Sequence, residues 1–443
     1  MFQLPDYITL ILTTLAARGF DAYIIGGSVR DFIIGRTPHD FDVTTDALPS
    51  QVKDAFAGFH VIETGIRHGT VTVVIDHQPV EITTYRIDAE YLDKRHPESV
   101  TFTKNLFEDT ARRDFTVNAI AYNHAVGIVD YHGGTADIEN KIIRCVGDAQ
   151  TRFCEDSLRI LRAVRFSSQL GFNIDCETAS AMRTRSHLIS NISAERVGDE
   201  LKKFVCGANA RQVIINCADI LSVPIPEIAP MIGFDQRNPH HVHDVLTHSA
   251  VAVENVVPIA HMRLAALFHD IGKPSTFAPD ENGVGHFYGH SKVSEEIADK
   301  IMARLKLDNQ TREKVKALIH YHDTPLENDK KSIKRKLNKL GEEAFFDLLN
   351  LQRADNKAQN PNLLHRQQFF DEIESTVREI IEENECFSLK DLHINGNDLI
   401  ALGYSGKQIG EILTQILSSV IGETMPNERT VLLNHIAEQY RPL

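Results

Sequence analysis

No stretch of this chain is apolar and long enough to span a bilayer, so no membrane partner is expected. The N-terminus, MFQLPDYITLILTTLAARGFDAYIIGG, has neither a basic leader nor a small-residue cleavage site, which argues against a signal peptide. Six cysteines (Cys145, Cys154, Cys176, Cys206, Cys217 and Cys386) are scattered and form no CxxC. Free thiols in a reducing cytoplasm are the expectation. There is no basic excess either. The formal net charge is −14, which disfavours a broad nucleic-acid surface and leaves DNA unexpected. A local basic groove would still admit RNA, and basic residues do cluster at Arg159, Arg162 and Arg165 and in the run Lys330–Lys339. No GxxxxGK[ST] loop, internal repeat or low-complexity tract is present.

What is present begins with length. At 443 residues, 42% hydrophobic and 24% charged, the chain reads as two to four globular domains. The first 145 residues read as α/β. A helix over Tyr7–Arg18 leads into the strand AYIIGG, and HDFDVTT makes a short strand. GTVTVVID and PVEITTYR form a hairpin turning at Asp76 and His77, and IAYN with GIVDYHGG forms a second. After Gly147 helical periodicity takes over. CEDSLRILRAVRFSSQLGF carries Leu158, Leu161 and Val164 at helical spacing, and ISAERVGDELKKFV is amphipathic. Pro224, Pro226 and Pro230 mark a linker, a His-rich helical block runs from about 240 to 360, and helices split by GYSGKQIG close the chain.

Two constellations in the first part carry chemistry. GGSVRD (Gly26–Asp31) follows a strand directly. Glycines let backbone approach a ligand, amides at a helix start suit phosphate oxygens, and Arg30 adds fixed positive charge. An ordinary tight turn would look the same. In Asp40-Phe41-Asp42, residues two apart on a strand face one side, so both carboxylates meet while Phe41 turns inward. Two like charges so close need a cation, and Mg²⁺ takes carboxylate oxygens. A solvated acidic edge is the alternative. Glu81 offers a third carboxylate, or is a plain surface residue. Together, the glycine turn and the carboxylates are what nucleotidyl transfer needs.

GGSVRD, DFDVTTDA, EITTYR and RRDFTVNAIAY resemble the head motifs of the class II tRNA nucleotidyltransferase and bacterial poly(A) polymerase family. EDSLRILRAVRF and ISAERVGDEL follow in family order and spacing, and HINGNDLIALGYSGKQIGEIL is similar to the C-terminal region. The resemblance implies an α+β protein: an α/β nucleotidyltransferase head with a small mixed sheet (1–145), a helical neck and body that reads the base (146–235), an HD domain (236–360) and a helical, tRNA-binding tail (361–443). It implies template-independent addition of CCA to the tRNA 3′ end from CTP and ATP, with Mg²⁺ on Asp40 and Asp42 and Glu81 beside them. Gly26, Gly27, Ser28, Arg30, Arg113, Asp114 and Asn118 would hold the nucleotide. In Glu155-Asp156-x-x-Arg159, Asp156 and Arg159 would share a helical face and read the base. Asp accepts and Arg donates, matching the amino donor beside a ring-nitrogen acceptor that cytosine and adenine each offer, whereas guanine and uracil present an N–H where the arginine would point. A surface ion pair is the alternative. Arg162 and Arg165 would continue that face toward phosphate. The segment Ile87–Asp109, with YLDKRHPESVTF, is similar to the family's loop for adding the terminal A.

In the His-rich block, His248, His269-Asp270 and Asp355 look like an HD domain, with Lys273 in company and His290, His320 and His322 as further candidates. HD phosphohydrolases bind metal with such residues and activate water. A second divalent metal, or an inert helical scaffold, follows. An A-adding enzyme, a poly(A) polymerase, an HD phosphohydrolase with a binding head, and a non-catalytic RNA binder are the rivals.

Overall fold

The computed structural model describes residues 2–38, 40–88 and 100–440. The chain separates into two compact units, Met1–Pro226 and Glu227–Leu443, and the break falls inside the anticipated proline linker.

In the first unit, α1 (Asp6–Ala17) buries Ile8, Ile11, Leu12 and Leu15, a stripe at helical spacing. Then come β1 (Ala22–Ile25), α2 (Gly27–Ile33), β2 (Asp42–Thr45), α3 (Pro49–Ala55), β3 (His60–Ile62), β4 (Thr70–Ile75) and β5 (Gln78–Thr84). A ribbon of β6 (Arg86–Asp88) and β7 (Val100–Phe102) precedes α4 (Leu106–Ala111), β8 (Ala121–Asn123), β9 (Gly127–Val129) and α5 (Gly134–Glu139). Seven strands form one sheet in the order β3-β4-β5-β2-β1-β8-β9. Every pair is antiparallel except β2–β5, so this is the small mixed sheet anticipated. Both expected hairpins form. Asp76 and His77 have φ of 50° and 64°, the two left-handed residues that a two-residue type I′ loop requires. Residues 89–99 of the expected A-addition segment lie outside the described residues.

Helices follow: α6 (Ala149–Glu155), α7 (Leu158–Leu170), α8 (Cys176–Arg185), α9 (Ala194–Val205), α10 (Ala210–Asn216) and α11 (Ala218–Leu221). The single helix expected through CEDSLRILRAVRF is corrected to two. Asp156 is extended (φ −138°, ψ 104°) and its Oδ1 accepts the Leu158 N–H at 3.0 Å. Asp and Ser side chains compete for backbone groups, so Asp156-Ser157 makes a cap where apolar spacing alone suggests continuity.

In the second unit α12 (Val245–Asn255), α13 (Ala260–Phe268), α14 (Lys273–Thr276), α15 (His290–Arg304), α16 (Asn309–Tyr321), α17 (Lys330–Leu340), α18 (Glu342–Ala358) and α19 (Arg366–Glu382) are followed by α20 (Gly396–Ala401), α21 (Lys407–Ile421) and α22 (Arg429–Gln439). Ile333, Leu337, Phe345, Leu349, Ile373 and Val377 make one core from α17, α18 and α19, so packing runs on across residue 360. Leu399, Ile412, Ile416, Leu432 and Ile436 form another. Three of the six basic residues in the Lys330–Lys339 run are engaged by carboxylates. Lys330 is tied to Glu379, Glu383 and Glu385, Lys334 to Glu385, and Lys331 to Glu423. These acidic partners lie distant in sequence, so the run in isolation does not show them. All six cysteines are free, and no helix of the described residues is long and apolar enough to cross a membrane.

Candidate active site

β1 runs straight into Gly26, whose φ of +82° favours glycine. A Cβ there would lie 3.2 Å from Arg113 Nη1, so this guanidinium sits against bare backbone. α2 starts at Gly27 and carries Ser28 and Arg30, both buried. Arg30 Nη1 donates to Asn118 Oδ1 at 2.8 Å.

The carboxylates gather on the neighbouring strands. Asp40 and Asp42 are exposed and Phe41 is buried against Tyr7 and Phe32, the alternation expected. Parallel pairing of β2 with β5 sets Asp42 opposite Glu81, on one face of the sheet. Enclosing protein raises the Asp42 carboxyl above its ordinary value, Arg113 opposes this, and Asp40 adds to it. Glu81 is raised likewise, by enclosure and then by Asp42. Asp42 thus repels both Asp40 and Glu81, and hard carboxylate oxygens are the donors that Mg²⁺ takes, but the three are not among the described groups whose ligand atoms lie within 4.8 Å of one another.

A set of arginines gathers around one ring. The guanidinium carbons of Arg30, Arg162 and Arg165 lie 5.3, 5.3 and 4.3 Å from the Phe166 centroid. Arg162 Nη2 is 2.6 Å from Asp114 Oδ2, and Arg165 Nε is 3.1 Å from Glu200. Asp114 also accepts from Asn118 Nδ2 and the Phe115 N–H. Although Asp114 is buried, these partners, Arg162 foremost, hold its carboxyl down at about 2. Among the described residues Arg113 has no such close partner: Asp109 is 3.9 Å away, and burial lowers its pKa. Gly26, Gly27, Ser28, Arg30, Arg113, Asp114, Asn118, Arg162 and Arg165 are therefore brought together as one polar cluster.

Asp156 and Arg159 do not lie on one continuous helix as anticipated. The kink sends Asp156 Oδ2 to Arg196 of α9 at 3.0 Å, while Arg159 Nη1 holds Glu155 at 2.6 Å and Nη2 donates to the Arg112 carbonyl at 3.0 Å. Sequence reasoning passed over Arg196, which lies in the quoted ISAERVGDEL. It also missed Asp109, fully buried and holding Arg112 at 2.7 Å and Thr44 Oγ1 at 3.1 Å. The acidic residue four before Arg113 in a short helix was the available signal.

The second unit gathers His248, His269, Asp270 and Asp355 from α12, the end of α13 and α18. His248 Nε2 is 2.8 Å from Asp355 Oδ1, and His269 Nε2 is 3.2 Å from Asp270 Oδ2. This donor set fits a divalent metal that accepts imidazole. His290 and His322 join at the other Asp270 oxygen, whereas His320 is half-exposed and bound to Glu295 at 2.8 Å, outside the cluster.

A mixed sheet that presents carboxylates beside a glycine turn and an arginine cluster defines a nucleotidyltransferase head. The profile of the poly A polymerase head domain matches residues 22–144. The "Probable RNA and SrmB- binding site of polymerase A" matches residues 171–218, and tRNA nucleotidyltransferase domain 2 matches 280–436. A CCA-adding enzyme of Staphylococcus aureus (strain Mu3) is 31% identical over 437 residues, 96% of this chain and 97% of that protein. One of Lactobacillus helveticus (strain DPC 4571) is 48% identical over 231 residues, 51% of this chain and 57% of that protein. The solved structure of the Bacillus stearothermophilus CCA-adding enzyme in complex with CTP is 27% identical, covers 99% of this chain and 98% of its own, and superposes with a TM-score of 0.74. The chain belongs to the CCA-adding enzyme family.

Proposed function

We propose that this chain adds CCA to the 3′ end of tRNA from CTP and ATP, releasing pyrophosphate, in a cytoplasmic setting. The observation that carries the reading is the β2–β5 register, which sets Asp42 against Glu81 beside the Gly26–Arg30 turn. The tRNA 3′ oxygen attacks the α-phosphorus, and the bond from that phosphorus to the pyrophosphate oxygen breaks. Gly26, Gly27 and Ser28 offer backbone to the triphosphate, and Arg30, Arg113, Arg162 and Arg165 neutralise its oxygens. Asp114 and Asn118 orient these arginines and face the ribose. Mg²⁺ held by Asp40 and Asp42, with Glu81 beside them, would lower the pKa of the attacking hydroxyl and steady the departing pyrophosphate.

Asp156 and Arg159 read the base from either side of the α6–α7 kink. Each side chain is ion-paired at present, so a base must displace Glu155 and Arg196 to be read. Cytosine and adenine match the acceptor and donor released by that exchange; guanine and uracil leave the arginine facing an N–H. The four-part division into head (1–145), neck and body (146–235), HD domain (236–360) and tail (361–443) is the finer reading of the two units. In the HD part, His248, His269, Asp270 and Asp355 would hold one divalent cation.

The test is one-nucleotide-resolution extension, with Mg²⁺, of tRNA transcripts ending before CCA, after C and after CC. Each is offered CTP, ATP or both. Addition that completes CCA and stops is the expected result. A-addition to the CC end alone, or long A tails on any RNA, would replace the reading with an A-adding enzyme or a poly(A) polymerase.

A further inference from the structure

Phe166 is the single aromatic residue of α7 and stands apart in its buried set. Leu158, Ile160, Leu161 and Val164 fill much of that set with aliphatic side chains. Phe166 is 7% exposed, so a large aliphatic residue would meet the demand for apolar burial nearly as well. What an aliphatic side chain lacks is a quadrupole. The face of a phenyl ring is negative and attracts cations, and its edge is positive.

Three cations gather at that ring. The guanidinium carbons of Arg30 and Arg162 lie 5.3 Å from its centroid and that of Arg165 lies 4.3 Å from it. Arg162 stands four residues before Phe166, one turn away on the same helical face. Arg30 comes from α2, more than 100 residues earlier in the chain. Arg30 and Arg165 are 8% and 9% exposed, so water and salt screen their charges poorly.

Each arginine is drawn away from the others by a carboxylate of its own. Arg30 donates to Asp31 through Nε at 2.9 Å and Nη2 at 2.8 Å. Arg162 is held by Asp114 at 2.6 Å, and Arg165 by Glu200 of α9 at 3.1 Å. The three charges also repel. Burial lowers the Arg165 pKa, Glu200 opposes this, and Arg162 and Arg30 add to the lowering. Separate ion pairs and mutual repulsion both act to disperse the guanidinium groups, and the ring is the contact that all three share. Its own position is fixed by Phe115, with centroids 5.9 Å apart and planes at 82°. The Phe115 N–H in turn donates to Asp114 Oδ1 at 2.8 Å.

We propose that Phe166 is a positioning residue for the triphosphate, its quadrupole gathering Arg30, Arg162 and Arg165 before the nucleotide arrives. This rests on the reading above that these arginines neutralise triphosphate oxygens. Phe166 acts through the arginines and takes no part in making or breaking bonds. Without the ring, the guanidinium groups would follow their carboxylates and would have to be collected again at each binding event, which weakens binding. The effect attaches to the polyphosphate and not to the base, so CTP, ATP and inorganic tripolyphosphate share it. The choice of base, assigned to Asp156 and Arg159, does not depend on it.

The experiment replaces Phe166 in the full chain by 4-fluoro-, 3,4,5-trifluoro- and pentafluorophenylalanine. Fluorine drains negative charge from the ring face step by step while nearly conserving size and apolar character. The same series at Phe56, fully buried at the end of α3, measures what fluorination does to packing alone. Isothermal titration calorimetry at fixed Mg²⁺ gives the Kd for CTP, ATP and tripolyphosphate, and misincorporation in the extension assay gives the choice of base. At Phe166 the Kd of all three ligands is expected to rise with each step, reaching about 2- to 30-fold in the pentafluoro variant, the span of one cation–π contact. In the Phe56 series each Kd should stay within about twofold, and the preference for C and A should hold in both series. A flat Kd along the Phe166 series, an equal rise along the Phe56 series, or a rise for CTP and ATP without tripolyphosphate would overturn the inference. Tripolyphosphate that does not bind the unmodified chain would overturn the arginine site together with it. Failure of the unmodified chain to extend tRNA, with tripolyphosphate binding that still weakens along the Phe166 series, would strike the CCA-adding reading and support the role of the ring.

Discussion

Replacing Asp114 by Asn removes one charge from the arginine cluster and little else. Asp114 is 8% exposed and binds Arg162 through Nη2 at 2.6 Å and Nε at 2.7 Å. Its carboxyl is held down from the usual 3.8 to about 2. A depression of roughly two units corresponds to about 2–3 kcal/mol of extra stability in the ionised form. The sign follows from the direction. A folded-state pKa below the unfolded one gives stability that is complete above the unfolded value and is lost as pH falls through about 2. Asn keeps the size and one acceptor but has no charge to lose. At pH 7 the variant should therefore be about 2–3 kcal/mol less stable, and near pH 3 the gap should shrink to about half. Urea unfolding followed by circular dichroism, repeated between pH 7 and pH 3, measures both. A gap below about 0.5 kcal/mol at pH 7, or one that stays constant with pH, would refute the argument. The same variant frees Arg162 from its partner, so the KM for CTP should rise while tRNA affinity holds.

Asp42→Ala should lower nucleotide addition by roughly 10³-fold or more while the tRNA Kd stays within about twofold; normal turnover would remove Asp42 from the metal site. Arg159→Ala should cut the preference for C and A over G and U by roughly 10- to 100-fold, measured by misincorporation with each nucleotide alone. An unchanged preference would end the base-reading role. Gly26→Ala puts a side chain at φ +82° and 3.2 Å from Arg113 Nη1, so a loss of about 1–2 kcal/mol and a weaker CTP interaction are expected; wild-type melting with unchanged KM would contradict it. Gly272→Ala puts a Cβ 2.8 Å from Ser294 N, two residues from Asp270, and should release metal from the second unit while leaving CTP addition intact, read by metal content beside the extension assay.

Local chemistry was legible wherever neighbours a few residues apart decide the outcome. The Asp76-His77 loop, the Asp40/Phe41/Asp42 alternation and the proline break before the second unit follow from turn propensity and strand period. The Asp156 kink shows where that reading stops. The apolar spacing through Leu158, Leu161 and Val164 is helical, but a side-chain cap won the competition two residues before it. The ion pairs of Lys330 were hidden for a related reason: its carboxylate partners come from α19 and beyond, some 50 residues on.

By itself, then, the sequence determined the residue types, their local periodicity and the motifs that carry the family resemblance, because these depend on chain-neighbour sterics and hydrogen bonding. Tertiary structure alone decided which of them meet. Parallel pairing of β2 with β5 brought Glu81 to Asp42, and the Phe166 ring collected arginines from α2 and α7. Helix packing closed the 107 residues between His248 and Asp355 to 2.8 Å. Contacts of that span arise from burial of apolar faces, which is non-directional along the chain and so leaves no local sign of its partner.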